Sequence, residues 1–289
     1  MPWRHYPDRA SLDAQFTLDS VAGLPEIMAR RLALSAQARA STRHVLKTPY
    51  GTGPDATLDL FYPDAGAGPA PVLMFIHGGF WKALDASVFS FAGGSFAAAG
   101  ALVAVIDYPL IPSVRMEGIV DHVGQALGWL HRHAGDHGGD PARLHVSGHS
   151  AGGQLTALAM DPAWQARYGV PPGVVRGGTA LSGVFELEPL RHSFQQDTLG
   201  FTQEEAERWS PMRHIPRQAA PLVVAVGGGD TQEFVDQSLE YAAAYAQAGH
   251  ATELHVVAQA NHIDILTSAF AQPGAPLHTA VLRQLGLAR

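Results

Sequence analysis

The 289-residue chain contains no cysteine, which excludes disulfides, thiolate metal sites and a cysteine nucleophile and fits a reducing compartment. Charge is sparse too: 16% of residues are charged, and no basic block forms among 19 Lys and Arg set against 26 Asp and Glu. A formal charge of −7 without a basic patch lacks the electrostatic footprint of a nucleic-acid binder. No uncharged apolar run approaches the roughly 18 residues needed to span a bilayer. The first ten residues hold Arg4, His5, Asp8 and Arg9 and no apolar signal segment. The expectation is a cytoplasmic protein with neither nucleic acid nor membrane among its partners. Apolar residues, by contrast, make up 46%, enough for one large domain with a sizeable core.

Residues 10–41 read as an Ala-rich helical N-terminal arm, broken by Gly23 and Pro25, with Leu24, Ile27, Met28 and Leu32 on one face. Segments 43–48 and 57–62 flank the turn-rich residues 49–55 and predict a hairpin that supplies antiparallel edge strands. Apolar runs then recur at 72–76, 102–106, 144–147, 222–226 and 254–258, with helical stretches between them, clearest at 116–134, 150–160 and 233–248. Continuous apolar strands separated by helices predict an α/β fold with a mostly parallel central sheet and helices on both faces, in a single domain of residues 1–289. The alternation fails over residues 183–218, an irregular cap-like insertion of the kind that roofs a ligand site.

The sharpest local signal is Gly148-His149-Ser150-Ala151-Gly152, directly after the strand at 144–147 and opening a helical stretch. A serine on a tight strand-to-helix turn needs small residues on either side to avoid clashes, and the helix N-terminus offers positive dipole to a developing oxyanion. Ser150 is therefore the candidate nucleophile. About seventy residues earlier, His77-Gly78-Gly79-Phe80-Trp81 follows the strand at 72–76. Glycines there let backbone N–H groups aim at one point, so Gly78, Gly79 and Phe80, with Ala151, are the candidate oxyanion hole.

A serine nucleophile needs a base and a carboxylate that holds the imidazole in its proper tautomer. For a serine on such an elbow the chain order is Ser, then Asp or Glu, then His. Asp230 lies in the loop after the strand at 222–226 and His262 in the loop after the strand at 254–258, at the sheet edge where sites of open α/β sheets gather. Asp236, inside the next helical stretch, is the fallback acid. Among the 15 histidines, His149 belongs to the elbow, His255 falls inside a strand, and His214, His250 and His278 read as solvated. The cluster His131, His133, Asp136 and His137 ends a helix without an ordered ligand set, so no metal is assigned. Gly227 to Gly229 lacks both nucleotide-binding glycine patterns, and no cofactor is implied.

The pairing of HGGFW with GHSAGG, and Asp107-Tyr108 after an intervening strand, resembles the α/β-hydrolase superfamily and within it the hormone-sensitive-lipase-like esterases. Phe80 stands where most such esterases carry the last glycine of HGGG, and with Trp81 after it the loop is similar to the HGGxW signature of kynurenine formamidases (arylformamidases). Further matches are Leu181-Ser182-Gly183-Val184-Phe185 with Leu187 and Pro189-Leu190, Gly229-Asp230 with Glu233-Phe234 and Gln237-Ser238, and Asn261-His262-Ile263-Asp264-Ile265. The resemblance covers the chain from about Leu58 onward and departs at Ile263, where Phe is expected. It implies a Ser-His-Asp hydrolase that cleaves a small aryl formamide such as N-formylkynurenine, or a short-chain ester, through an acyl-enzyme. The alternative is a general carboxylesterase; a non-catalytic ligand-binding module on the same fold is the reading from another class, which the complete set Ser150, Asp230 and His262 disfavours. Trp81, Tyr108, Phe185 and Phe194 are the expected aromatic lining of the substrate pocket. A homodimer is common for such folds, and the sequence locates no interface for one.

Overall fold

Eight strands form one sheet in the order β1-β2-β4-β3-β5-β6-β7-β8 in the computed structural model, which describes residues 3–18, 21–64 and 68–288. The strands are β1 (His44–Pro49), β2 (Thr57–Phe61), β3 (Ala70–Ile76), β4 (Leu102–Ile106), β5 (Gly139–His149), β6 (Val175–Leu181), β7 (Leu222–Gly227) and β8 (Thr252–Val257). The expected hairpin is present: β1 pairs antiparallel with β2, and β2 antiparallel with β4. All later pairings are parallel, as in the register Val72↔Leu144 to Ile76↔Gly148 between β3 and β5. The carboxyl ends of β3, β5, β6, β7 and β8 therefore share one edge, and each is followed by a loop that can carry chemistry.

Alternate residues of β3 feed two cores. Val72, Met74 and Ile76 pack with α4 (Met116–His133), α5 (Ala151–Ala159) and α10 (Gln232–Gln247) on one face. Leu73 and Phe75 pack with α3 (Ser90–Ala98) and α11 (Pro276–Leu285) on the other. The period-two side-chain geometry of a strand buried on both faces produces this split. The N-terminal arm is two helices, α1 (Arg9–Phe16) and α2 (Leu24–Ser41), with Gly23 at a left-handed φ of 68° before Pro25 in the first turn of α2.

Three features differ from the sequence expectation. β6 went unread because Gly177 and Gly178 interrupt its apolar run; Gly178 is small because a Cβ there would lie 2.5 Å from Met160 Sδ. β8 is the last strand of the sheet, not an interior one, and Leu254 and Val256 are 42% and 51% exposed. Residues 183–218 are not irregular throughout: they hold α7 (Glu188–Arg191), α8 (Gln196–Leu199) and α9 (Gln203–Trp209), each too short for a period of 3.6 to register in sequence. The remaining helix is α6 (Pro162–Ala166).

His145 on β5 is buried at 3% exposure, and its Nδ1 has no hydrogen-bond partner among the described residues. Burial, reinforced by Arg143 and Arg176, pushes its imidazole down to about 4. The folded state resists a proton that the unfolded chain accepts near pH 6.5, so stability is complete above that pH and is lost as pH falls toward 4. About 3 kcal/mol is at stake for a shift of this size. Urea midpoints are expected to drop between pH 6.5 and 4, and a His145→Gln variant should show a shallower drop; an equal drop would contradict this assignment.

Candidate active site

Ser150 sits between β5 and α5 with φ 56° and ψ −116°, a conformation that costs about 1–3 kcal/mol for a non-glycine residue. The turn is held by Ser150 N–H donating to the Leu181 carbonyl at 2.8 Å and by Gln154 N–H donating to the Ser150 carbonyl at 3.1 Å. Space explains the flanking glycines. A Cβ at Gly148 would lie 2.2 Å from the Gly152 oxygen, and one at Gly152 would lie 2.0 Å from the Ile76 oxygen. Neither clash can be relieved by a side-chain rotation, because both neighbours are backbone. Gly152→Ala is accordingly expected to destabilise the fold by on the order of 3 kcal/mol, read as a fall in the urea midpoint; an unchanged midpoint would mean that the β3–α5 approach is looser than described.

The loop after β3 comes against this turn. A Cβ on Gly78 would lie 3.1 Å from Ser150 Cβ, which places the HGGFW loop beside the serine. Gly79, Phe80 and Trp81 have positive φ values of 116°, 48° and 55° in succession. This tight curl is closed by Lys82 N–H and Ala83 N–H, both donating to the Gly79 carbonyl at 3.0 and 3.1 Å. Among the described residues, the N–H groups of Gly79, Phe80 and Ala151 donate to no backbone or side-chain acceptor, so they are free to meet an external oxygen.

Supports fix the loop from behind. Tyr108 Oη–H donates to the His77 carbonyl at 2.8 Å, and its ring stacks on the His77 imidazole at 4.3 Å. Asp107 Oδ1 accepts Ala86 N–H at 2.6 Å, while Lys47 Nζ approaches Asp107 Oδ2 at 2.5 Å. Trp81 Nε1–H donates to Gln154 Oε1 at 3.2 Å, and Gln154 Nε2–H donates to the Trp209 carbonyl at 2.7 Å. The Asp107-Tyr108 pair is thus a brace for the loop, a role that its position after a strand did not reveal.

Asp230, after β7, has a fully buried carboxylate. Its Oδ2 accepts the Ser182 hydroxyl proton at 2.6 Å. Its Oδ1 stands 3.5 Å from Nδ1 of His262, the residue in the loop after β8. That separation is longer than a good hydrogen bond, and among the described residues neither atom makes a hydrogen bond, to the other or to any third group. Buried polar atoms with a single neighbour are left to one another, and catalytic hydrogen bonds are often long before substrate binds. Asp236, the fallback acid, lies a turn into α10 and accepts from Gln232 at 2.7 Å on an exposed face.

The His262 loop is clamped reciprocally. Asn261 Oδ1 accepts Ile263 N–H and Asp264 N–H at 2.9 and 3.0 Å, and Asp264 Oδ1 accepts Asn261 N–H at 2.7 Å. His149 ties this loop to the elbow by donating from Nε2 to the His262 carbonyl at 2.6 Å. Burial, with the nearby His262, holds the His149 imidazole well below its usual range, so it is neutral and serves as a strut.

Beside Asp230 and His262 is a cavity of about 200 Å³, lined by Phe16, Thr17, Leu18, Val21, Ala22, Phe80, Gly229, Asp230, Thr231, Phe234, Asn261 and His262. Its roof is the N-terminal arm, not residues 183–218. Phe16 meets Phe234 edge-on at 5.9 Å, and Phe234 lies 4.2 Å from the His262 ring. Thr231 Oγ1–H donates to the Gln15 carbonyl at 2.7 Å, and Trp3 Nε1–H to Glu233 Oε1 at 3.0 Å. The insertion holds the arm in place: Gln195 Nε2–H donates to the Phe16 carbonyl at 3.0 Å, and Phe194 N–H to Asp13 Oδ1 at 2.6 Å. Of the expected aromatic lining, none borders this cavity. Trp81, Tyr108 and Phe185 are buried in the framework, with Phe185 stacked on Tyr241 at 4.2 Å, and Phe194 is 36% exposed at the surface.

The other histidines fall outside the site. His278 is buried, not solvated, against the Phe96 ring. In the helix-end cluster, His131 meets the Pro141 carbonyl and His137 the Tyr62 hydroxyl, and no group of three metal-binding side chains converges among the described residues. No helix among them is long and apolar enough to cross a membrane.

Known proteins resemble this chain along most of its length. The model of the prolyl oligopeptidase family matches residues 131–275, half of the chain, and the BD-FAE model matches residues 58–162. A kynurenine formamidase of Danio rerio is 28% identical over 235 residues, covering 80% of this chain and 78% of that one. Esterase LipC of Mycobacterium tuberculosis is 29% identical over 272 residues, covering 85% of this chain and 66% of its own. A crystal structure from Silicibacter sp., provisionally named a thioesterase, superposes with a TM-score of 0.78 at 26% identity over 96% of this chain and 98% of that one.

Proposed function

Since this chain belongs to the prolyl oligopeptidase family and carries the α/β-hydrolase fold, we propose that it is a serine hydrolase of small aryl formamides or short-chain esters, with Ser150, His262 and Asp230 as its triad. The observation that carries the reading is the approach of Asp230 Oδ1 to His262 Nδ1 at 3.5 Å, two buried atoms with no hydrogen bond to any other group among the described residues, with the His262 loop tied through His149 to the strained Ser150 turn. An imidazole whose Nδ1 faces a carboxylate, and bonds to it once substrate tightens the site, leaves Nε2 as the base.

In this mechanism His262 Nε2 takes the Ser150 hydroxyl proton as Oγ attacks the carbonyl carbon. The N–H groups of Gly79, Phe80 and Ala151, with Gly78 as a further donor, hold the oxyanion. Collapse breaks the bond to the amine or alcohol, which leaves with the proton from His262. Water, deprotonated by the same imidazole, then releases the acid and restores the serine. For a formamide the acyl group is formyl, and the products are formate and an arylamine.

The small apolar cavity beneath the arm suits one aryl ring or a short acyl chain. Similarity to a kynurenine formamidase over 235 residues supports an aryl formamide such as N-formylkynurenine as the first reading, and similarity to an esterase over 272 residues supports short esters as the second. The test is kcat/KM on N-formylkynurenine against p-nitrophenyl esters of increasing chain length, with Ser150→Ala as blank. A higher value on the formamide, and ester rates that fall with chain length, are expected. A preference for esters would favour the carboxylesterase reading, and no Ser150-dependent turnover of either would contradict both.

A further inference from the structure

Arg31, on the buried face of α2, is 1% exposed, and no carboxylate pairs with it among the described residues. Its Nε and Nη2 make no hydrogen bond, and its third nitrogen reaches only Met28 Sδ at 3.8 Å. Burial alone lowers its guanidinium to about 10, so it stays charged at neutral pH. An uncompensated cation in a dry interior is costly, and an apolar side chain would fill the same volume at less expense. Its place in the fold offers a reason for it. The guanidinium lies 4.1 Å above the Phe89 ring, and Phe89 stacks on His77 with ring centres 5.6 Å apart. His77 is the residue before Gly78, whose backbone abuts Ser150. Helical side chains tilt toward the helix N-terminus, which on α2 is the end that adjoins cavity residues Val21 and Ala22. Its charge reaches the imidazoles beside the loop and the elbow: at His149 it adds to burial and His262 in lowering the imidazole, and at His77 burial does most of the lowering while Arg31 works against the larger upward pull of Asp107 and Asp85.

We propose that Arg31 is a positioning residue of the hydrolysis: its unpaired guanidinium, seated on Phe89 behind the His77-Gly78 turn, supplies a fixed positive potential to the oxyanion that forms at Ser150. The charge does not touch the substrate. It acts across a low-dielectric interior, where a permanent charge needs no reorganisation as the oxyanion develops. The field favours the tetrahedral intermediate over the neutral carbonyl, so it belongs to kcat and not to substrate binding. This inference rests on the Ser150 mechanism above.

The experiment compares Arg31→Met, which keeps the length of the side chain and its contact with Phe89, with Arg31→Lys, whose ammonium burial pushes down, so that every variant is assayed beside the parent at several pH values. Each is assayed on neutral p-nitrophenyl acetate and on carboxylate-bearing N-formylkynurenine after subtraction of the Ser150→Ala rate, and each is melted. The Met variant is expected to lose roughly tenfold in kcat on both substrates, with KM changed by no more than about twofold. It should melt no lower than the parent, and Lys should recover the rate, relative to the parent at the same pH, as pH falls and its ammonium charges. Parental kcat in the Met variant would overturn the proposal. A lowered Tm with no recovery by Lys at any pH would make Arg31 a packing residue, and a KM increase confined to N-formylkynurenine would make it an anion-binding group; both outcomes also overturn it. If the parent itself has no Ser150-dependent turnover, the functional reading fails and not this inference alone.

Discussion

Ser150→Ala is expected to reduce kcat by roughly 10⁵- to 10⁶-fold while leaving the unfolding midpoint within about 1 kcal/mol of the parent. The two halves of this expectation have separate causes. The rate depends on the hydroxyl, because without Oγ no acyl-enzyme forms and only the oxyanion donors and binding remain to assist water. Stability depends on the backbone, and the bonds from Ser150 N–H to Leu181 and from Gln154 N–H to the Ser150 carbonyl survive the substitution. The positive φ of 56° is as strained for alanine as for serine, so that cost cancels. Steady-state rates with a chemical-denaturation curve check both halves. Turnover within tenfold of the parent would remove Ser150 from the mechanism.

Asp230→Asn should cost roughly 10⁴-fold in kcat, nearly all of it independent of KM. The carboxylate has two tasks: Oδ2 accepts the Ser182 proton at 2.6 Å, and Oδ1 faces His262 Nδ1 at 3.5 Å. An asparagine retains the first by turning its amide oxygen to Ser182. It then presents an NH₂ group to Nδ1, which stabilises the imidazole tautomer whose proton is on Nε2, the wrong one for a base. It also withdraws the negative charge that steadies the imidazolium in the transition state. Asp236→Asn, on the exposed face of α10, should leave kcat unchanged. A larger loss from Asp236→Asn than from Asp230→Asn would reverse the assignment of the acid.

What was legible in the sequence was local. GHSAG announces its own geometry because each glycine answers a backbone atom about 2 Å from where a Cβ would stand, and the strand before it and helix after it are contiguous in the chain. Chain order and the loops after β7 and β8 pointed to Asp230 and His262, which the structure brings to 3.5 Å of each other. What depends on distant pairing stayed hidden. Ser182 was visible only as part of a motif; its task of holding Asp230 across 48 residues has no sequence period. The arm read as helical, but nothing in residues 10–41 says that Phe16 and Val21 close over the site, because that closure is set by contacts to α10 and to residues 183–218. The absence of the expected aromatic residues from the lining of that cavity has a related reason. Trp81, Tyr108 and Phe185 lie beside the motifs in sequence, yet large rings fill the framework behind a loop as readily as the pocket in front of it, and sequence does not distinguish the two sides.

The most direct test of the account is covalent labelling with a fluorophosphonate, followed by mass-spectrometric mapping of the modified peptide. The account predicts one phosphonylated site per chain, at Ser150, with labelling lost in Ser150→Ala and strongly slowed in His262→Ala, where the base is gone. Labelling at another residue, or none in a preparation that turns over substrate, would contradict it.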